Sequence, residues 1–183
     1  MKRSIIEKRE YDSNGNCIHY KNSRGDEYWK RYDEYNRIVY YKSPNGYEEW
    51  FEYDSNGNCI HYKNSHDCEE WTEYDSNYNK IHFKNSNGLE DWYEYNSNNK
   101  IIHFKSSDGY EYWKEYDSNS NMIHFRNNSG CEEWYKYDSD GNLLNCKKCN
   151  TVKEFDKKEN RMSYTITTIE KHYEKGGKYD YSK

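Results

Sequence analysis

Histidine recurs at positions 19, 61, 82, 103 and 124, in steps of 21 or 42 residues. Imidazole titrates near neutrality and is a common metal ligand, so such a column invites a metal or acid–base reading. If each step of 21 spans two strands, neighbouring members sit about 10 Å apart. A metal holds each of two imidazoles at about 2.1 Å, so adjacent histidines cannot share one ion and no metal site is expected. They read instead as half-stacked surface imidazoles with a mild pH response. Adjacent carboxylates such as Glu48 and Glu49 also recur. Catalytic acid pairs need unlike environments that drive their pKa values apart. Near-identical copies offer near-identical environments, so these groups read as solvated strand charges.

The six cysteines follow the same logic. Cys17 and Cys59 occupy one repeat position two copies apart, which is about 19 Å, and Cys68 and Cys131 lie three copies apart, about 29 Å. A disulfide needs Cα atoms within about 7 Å, so neither pair can close, and reduced thiols are expected. Cys146-Lys-Lys-Cys149 is a lone CxxC without the second pair of a four-cysteine zinc site. One local pairing stands out. A turn closing Asp138 on Asn142 would set Cys131 opposite Cys149, giving a disulfide staple or a weak zinc site with Cys146. No Ser-His-Asp or Cys-His set stands apart from the repeat, and no Gly-rich phosphate loop occurs. The chain reads as a non-enzyme without a cofactor.

The elements that must carry these residues are short and periodic. Trp occurs at 29, 50, 71, 92, 113 and 134, and Tyr at 11, 32, 53, 74, 95, 116 and 137, each 21 residues apart. A fixed period of this kind marks a repeat architecture. The unit is Tyr47 to Lys63, YEEWFEYDSNGNCIHYK. Its first strand is E-x-W-x-E-Y-D, its turn S-N-G, and its second strand N-x-I-H-Y-K. A second turn follows, of the form N-S-N-G or S-S-D-G. Short aromatic and β-branched runs bounded by Gly, Asn, Asp and Ser read as hairpins. The expected fold is all-β, an elongated antiparallel meander of about 15 strands in a single twisted or coiled sheet. Residues 1–150 form an array of about seven hairpins, and 151–183 a degenerate repeat and C-terminal cap. Within that cap Phe155 to Thr165 aligns on YDSNGNCIHYK, residues 165–173 alternate like another strand, and the tail from Lys175 frays. Lys8 stands where later copies have Trp, as a charge suited to an exposed edge strand.

An odd period constrains the turns, because side chains alternate faces along a strand. Two three-residue loops would switch Trp from face to face between copies, so one loop must have an odd residue count and the other an even one. D-S-N-G-N suits a three-residue loop closing Asp54 on Asn58. Asn-Gly at 45–46 and 87–88 and Asp-Gly at 108–109 suit two-residue type I′ turns. Tyr62 then faces both Trp50 and Trp71. One face carries an aromatic row, the candidate binding site: Trp29, Tyr41, Trp50, Tyr62, Trp71, Phe83, Trp92, Phe104, Trp113, Phe125 and Trp134. Ile60, Ile81, Ile102 and Ile123 back it. The other face carries Tyr53, Lys63 and an alternative, charged site: Glu49, Glu70, Asp91, Glu133, His61, His82, His103 and His124. In that register Lys63 meets Glu70, Lys42 meets Glu49, Lys84 meets Asp91 and Arg126 meets Glu133, while Lys21 and Lys105 meet Tyr28 and Tyr112.

Tyr53, Asp54, Gly57, Asn58 and Ile60, with their equivalents over residues 11 to 147, resemble the YD-repeat family, also called RHS-type repeats. The resemblance implies strands paired into long meandering sheets, which coil into shells in large toxins. The regular Trp50 and His61 are not part of that general motif. A weaker similarity is to choline-binding cell-wall repeats, whose second Gly-Trp is missing here.

Composition narrows the function. Of 183 residues, 32% are hydrophobic and 19% aromatic, enough for a thin aromatic interior but not a thick aliphatic one. Mean hydropathy is −1.56. The net charge of −5 is interspersed and shows no basic stripe, which argues against direct nucleic-acid binding. No apolar run suits a signal peptide or a membrane span, so a cytoplasmic location with no membrane partner is expected. Three function classes remain. The first is a scaffold that binds another protein, or a second copy of itself, through the aromatic row. The second is an inhibitor that blocks a nucleic-acid-binding host factor with its carboxylates, in the manner of phage anti-defence or anti-CRISPR-like proteins. The third is a carbohydrate- or choline-binding surface module.

Overall fold

The computed structural model describes residues 6–156 and 161–172, and side chains for all of these except 150–166, 170 and 172. The chain divides into two units, residues 1–90 and 91–183. The first carries β1 (Glu7–Tyr11), β2 (Cys17–Asn22), β3 (Glu27–Tyr32), β4 (Ile38–Lys42), β5 (Glu48–Tyr53), β6 (Cys59–Asn64), β7 (Glu69–Tyr74) and β8 (Lys80–Asn85). From the unit boundary onward run β9 (Glu90–Tyr95), β10 (Ile101–Ser106), β11 (Glu111–Tyr116), β12 (Met122–Asn127), β13 (Cys131–Tyr137), β14 (Leu143–Asp156) and β15 (Arg161–His172). Strand order follows chain order in one antiparallel sheet. The described residues contain no helix, so the all-β meander expected from the repeat is present.

Both turns of the repeat are three-residue loops. The Asp54 N–H donates to the Asn58 carbonyl at 3.0 Å, and Gly57 N–H donates to the Asp54 carbonyl at 3.2 Å. The second turn copies it, with Asn64 N–H on the Cys68 carbonyl at 2.9 Å. Asp54 Oδ1 accepts the N–H groups of Asn56 and Asn58, and Asn64 Oδ1 accepts those of His66 and Cys68. A short polar side chain that caps its own turn in this way selects the same loop from Asp or Asn. The expected type I′ turns are therefore absent. Asn85 N–H reaches the Leu89 carbonyl, and Ser106 N–H the Tyr110 carbonyl, around three residues each. The last loop residue takes positive φ. It is Gly at 57 (φ 92) but Tyr at 78 (φ 65) and Ser at 120 (φ 65).

The odd residue is absorbed in the strands. Tyr53 pairs with Cys59, but Glu52 pairs with His61, so Ile60 is an extra residue in a β-bulge. The same step leaves Ile18, Ile81, Ile102 and Ile123 as bulge residues in their copies. One bulge per hairpin shifts the register by one residue and overturns the expected pairing. Trp50 pairs with Lys63, Trp71 with His61, and Tyr62 with Phe51 and Glu70. Trp and Tyr62 therefore lie on opposite faces. The charge pairs move with them, and Lys42 meets Glu48, Lys63 meets Glu69, Lys21 meets Glu27, Lys105 meets Glu111 and Arg126 meets Glu132.

Neighbouring repeats are stitched together by side chains. The Tyr53 hydroxyl donates to the Ile38 carbonyl at 2.9 Å, and the Tyr116 hydroxyl to the Ile101 carbonyl at 3.0 Å. Each acceptor sits just before a bulge residue. Ser65 N–H donates to the Glu48 carbonyl, and its hydroxyl accepts the Glu48 N–H. Ser86 does the same for Glu69. At the start of the sheet β1 is exposed along its length, and Lys8 is paired with Glu10 at 2.7 Å. A charged first strand of this kind discourages pairing with another sheet.

The C-terminal region departs from the repeat. β14 and β15 form one long hairpin, paired from Asn145↔His172 to Asp156↔Arg161. Residues 165–172 continue the strand that begins at Arg161 and are not a separate element. Their expected last residue, 173, the segment 157–160 and the tail lie outside the described residues. A bulge after Lys136 sets Cys149 against Glu132 and Cys131 against Asn150. The expected Cys131–Cys149 pairing is thus displaced by one residue onto opposite faces, and the six cysteines are free.

Candidate binding face

Within each unit the Trp-bearing face is a ladder of similar rungs. His61 stacks on Trp71 with ring centroids 5.3 Å apart and planes 10° from parallel. Its Nε2 lies 2.9 Å from Glu69 and its Nδ1 3.2 Å from Glu52. In the second unit His103 stacks on Trp113 at 5.1 Å, between Glu111 at 2.8 Å and Glu94 at 3.0 Å. His124 repeats the arrangement on Trp134 with Glu132 and Glu115. The period-two alternation of a strand explains it, because E-x-W-x-E puts both carboxylates on the face of the indole. The far side of the indole meets a cation, and the Arg126 guanidinium lies 4.1 Å above the Trp113 ring.

Two carboxylates, one on each ring nitrogen, are satisfied together only by an imidazolium. His82 and His103 accordingly titrate above the ordinary value of 6.5. Burial pulls both down, and hydrogen bonds to Glu73 and Glu90, or to Glu94 and Glu111, outweigh it. Among the described residues no group of three or more His, Cys, Asp or Glu is placed to hold a metal ion.

The other face carries the phenolic and phenyl rings. Tyr62 lies 5.3 Å from Phe51, donates to Glu49 at 3.0 Å and accepts the Asn64 amide at 3.1 Å. Phe104 stacks on Tyr112 at 5.1 Å and meets Tyr93 at 5.0 Å. Burial, then Asp91, pushes the Tyr93 phenol up to about 12. Glu133 binds Lys148 at 2.7 Å and also accepts from Tyr135.

The residues expected to form one aromatic row are thus divided. Trp29, Trp50, Trp71, Trp92, Trp113 and Trp134 hold one face of their strands, and Tyr41, Tyr62, Phe83, Phe104 and Phe125 the other. The expected charged set divides as well. His61, His82, His103 and His124 share the Trp face, whereas Glu49, Glu70, Asp91 and Glu133 share the Tyr/Phe face. Glu52, Glu69, Glu73, Glu94 and Glu111, which clamp the histidines, were not singled out from sequence. Each lies two residues from a Trp, which places it on the Trp face, but its meeting with a histidine depends on the bulged register.

No protein-family profile matches the chain, and no curated protein matches it by sequence. Solved structures do. The chain is similar to a chain of the TcdB2-TccC3-Cdc42 crystal structure, with a TM-score of 0.62 at 15% identity over 95% of its own length. A chain of the TcdB2-TccC3 crystal structure gives 0.60 at 15% identity over 95%. A chain of the Photorhabdus luminescens Tc holotoxin pore, carrying the TccC3-D651A mutation, gives 0.55 at 17% over 78%. The match spans only 11%, 11% and 8% of those chains. At this identity the likeness shows a shared fold of repeated antiparallel hairpins.

Proposed function

We propose that the chain is a non-enzymatic repeat scaffold of the RHS type that binds another protein through its Trp/His/Glu face. One observation carries the reading. Trp71, Trp92 and Trp134 are 39%, 38% and 37% exposed, and Trp71 and Trp134 are held by stacked histidines that carboxylates orient in turn. Large aromatic surface fixed before contact binds with little further loss of side-chain freedom, and Trp is enriched where binding energy concentrates. The test is cross-linked capture from the native cell with wild type, Trp71→Ala/Trp92→Ala and Tyr62→Phe. A partner retained by wild type and Tyr62→Phe and lost by the Trp variant is expected. The same partners on all three would overturn the reading. Analytical ultracentrifugation of the same proteins tests a second copy as the partner.

A second reading has its own support. Glu52, Glu73, Glu94 and Glu115 on this face are 67–69% exposed. Such carboxylate columns suit an inhibitor that occupies a basic, nucleic-acid-binding site on its target. Binding that disappears in moderate salt favours the inhibitor, because screening weakens exposed charge contacts. Binding that survives salt favours the aromatic scaffold.

A further inference from the structure

One rung of the first unit breaks the pattern in two places on the same face. Each of the next four rungs has Glu two residues after Trp and His in the following strand, as at Glu52 and His61. After Trp29, Arg31 replaces the carboxylate and Tyr40 replaces the imidazole. The rung therefore holds one carboxylate, Glu27, with Arg31 and Lys42, where the next holds two carboxylates, Glu48 and Glu52, with Lys63 and His61. A concavity of about 490 Å³ opens at this place, lined by Ile18, His19, Trp29, Arg31, Tyr40 and Lys42, with Glu10 also on its wall.

The cations there differ in what holds them. Lys42 is bound to Glu48 at 2.7 Å, and His19 to Glu27 at 2.9 Å. Glu10 is held by Lys8 at 2.7 Å. Lys30, on the rim, lies over the Tyr28 ring at 5.2 Å. Arg31 is exposed, its guanidinium carbon lies 4.3 Å from the centre of the Tyr40 ring, and its charge helps to hold the Glu48 carboxyl low, but among the described residues no carboxylate comes within ion-pair distance of it. A guanidinium stacked on a ring keeps its N–H edge free for two parallel bonds to a carboxylate or phosphate.

We propose that this concavity binds a small anionic ring compound. The ring rests against Ile18 and the edge of the Trp29 indole, whose two faces are taken by His19 and Lys42, and the carboxylate or phosphate accepts from Arg31. Apolar groups beside a few convergent polar ones are the usual build of a small-molecule site, and here Ile18 and Trp29 stand beside Arg31, Lys42, His19 and Glu10. The protein-binding face proposed above is not needed for it, and the test requires no protein partner.

The full chain is titrated with benzoate, with phenyl phosphate and with benzyl alcohol as the uncharged ring, and followed by the indole N–H resonances. Saturable shifts of Trp29 by at least one anion are expected, with benzyl alcohol about tenfold weaker or more. The tighter of the two anions identifies the group preferred by Arg31. Arg31→Glu, which restores the residue of the next four rungs, is expected to abolish the shifts while leaving the melting temperature close to wild type. Arg31→Lys is expected to bind more weakly than wild type but measurably. No saturable shift by either anion, equal binding of benzyl alcohol, or undiminished binding by Arg31→Glu would overturn the proposal.

Discussion

The two faces of the sheet both carry aromatic rings, more of them on the Tyr/Phe face, and use them differently. On the Tyr/Phe face, Tyr53 and Tyr116 hydroxyls bind backbone carbonyls of the preceding repeat. Tyr62 is enclosed among Phe51, Glu49 and Asn64. On the Trp face, polar atoms bind one another across side chains, as in Glu52–His61–Glu69, and Trp71 is left 39% exposed. The first arrangement fixes the repeats to one another. The second holds a rigid surface whose outer side is free. Stability and binding are therefore expected to separate by face.

The largest expected effect tests what keeps the faces apart. Deleting Ile60 removes the bulge and moves the residues beyond it to the wrong face. Loss of cooperative thermal unfolding, or more than about 3 kcal/mol of stability, is expected. Ile60→Ala keeps the residue count and should cost only about 1–2 kcal/mol. Equal effects of the two changes would mean that the side chain matters and the count does not.

Next in size is the direct contrast of faces. Tyr116→Ala is expected to cost about 2–3 kcal/mol in chemical denaturation, since it removes a packed ring and a bond to the previous repeat. Trp71→Ala on the other face should cost about 1 kcal/mol, because much of the ring is already in water. The reverse order would dissolve the distinction. A gain is expected at a turn common to both faces. Tyr78 holds φ 65, a conformation that disfavours a side chain, and Tyr78→Gly should stabilise by about 1 kcal/mol.

A smaller effect concerns the Trp face alone. His82 and His103 have raised folded-state values, so the folded chain holds their protons more tightly than the unfolded one. That stability is fully present below pH 6.5, the ordinary value, and is lost as pH rises through the folded values. These are partly exposed pairs, so roughly a few tenths of a kcal/mol per histidine is expected. His82→Gln/His103→Gln should flatten the decline in melting temperature over that range. The smallest effect is none. Cys131 and Cys149 lie one residue out of register, and a reducing agent should leave the melting temperature unchanged.

Much of this was legible in the sequence. The strands, their number, the antiparallel order and the turn at Asp54 all follow from period, alternation and turn residues. The register was not, because an odd period has two solutions, an even loop or a bulge. Asn-Gly favours the even loop when read alone. Yet Asn85-Ser86-Asn87-Gly88 has the same form as Asp54-Ser55-Asn56-Gly57, and two alike strings make two alike loops. One choice of parity accounts for the division of the aromatic row, the shifted charge pairs and the misplaced Cys131–Cys149 contact. The His–Glu clamps were hidden for the same reason, since they exist only in the bulged register.

The hydroxyl of Tyr53 reaches back to Ile38, a residue made earlier in synthesis. The hydroxyls of Tyr32 and Tyr116 reach back in the same way, to Cys17 and Ile101. A chain emerging from the ribosome can therefore close each hairpin onto a finished template, without waiting for sequence still to come. An unfinished array therefore offers each new copy backbone acceptors that are already in place.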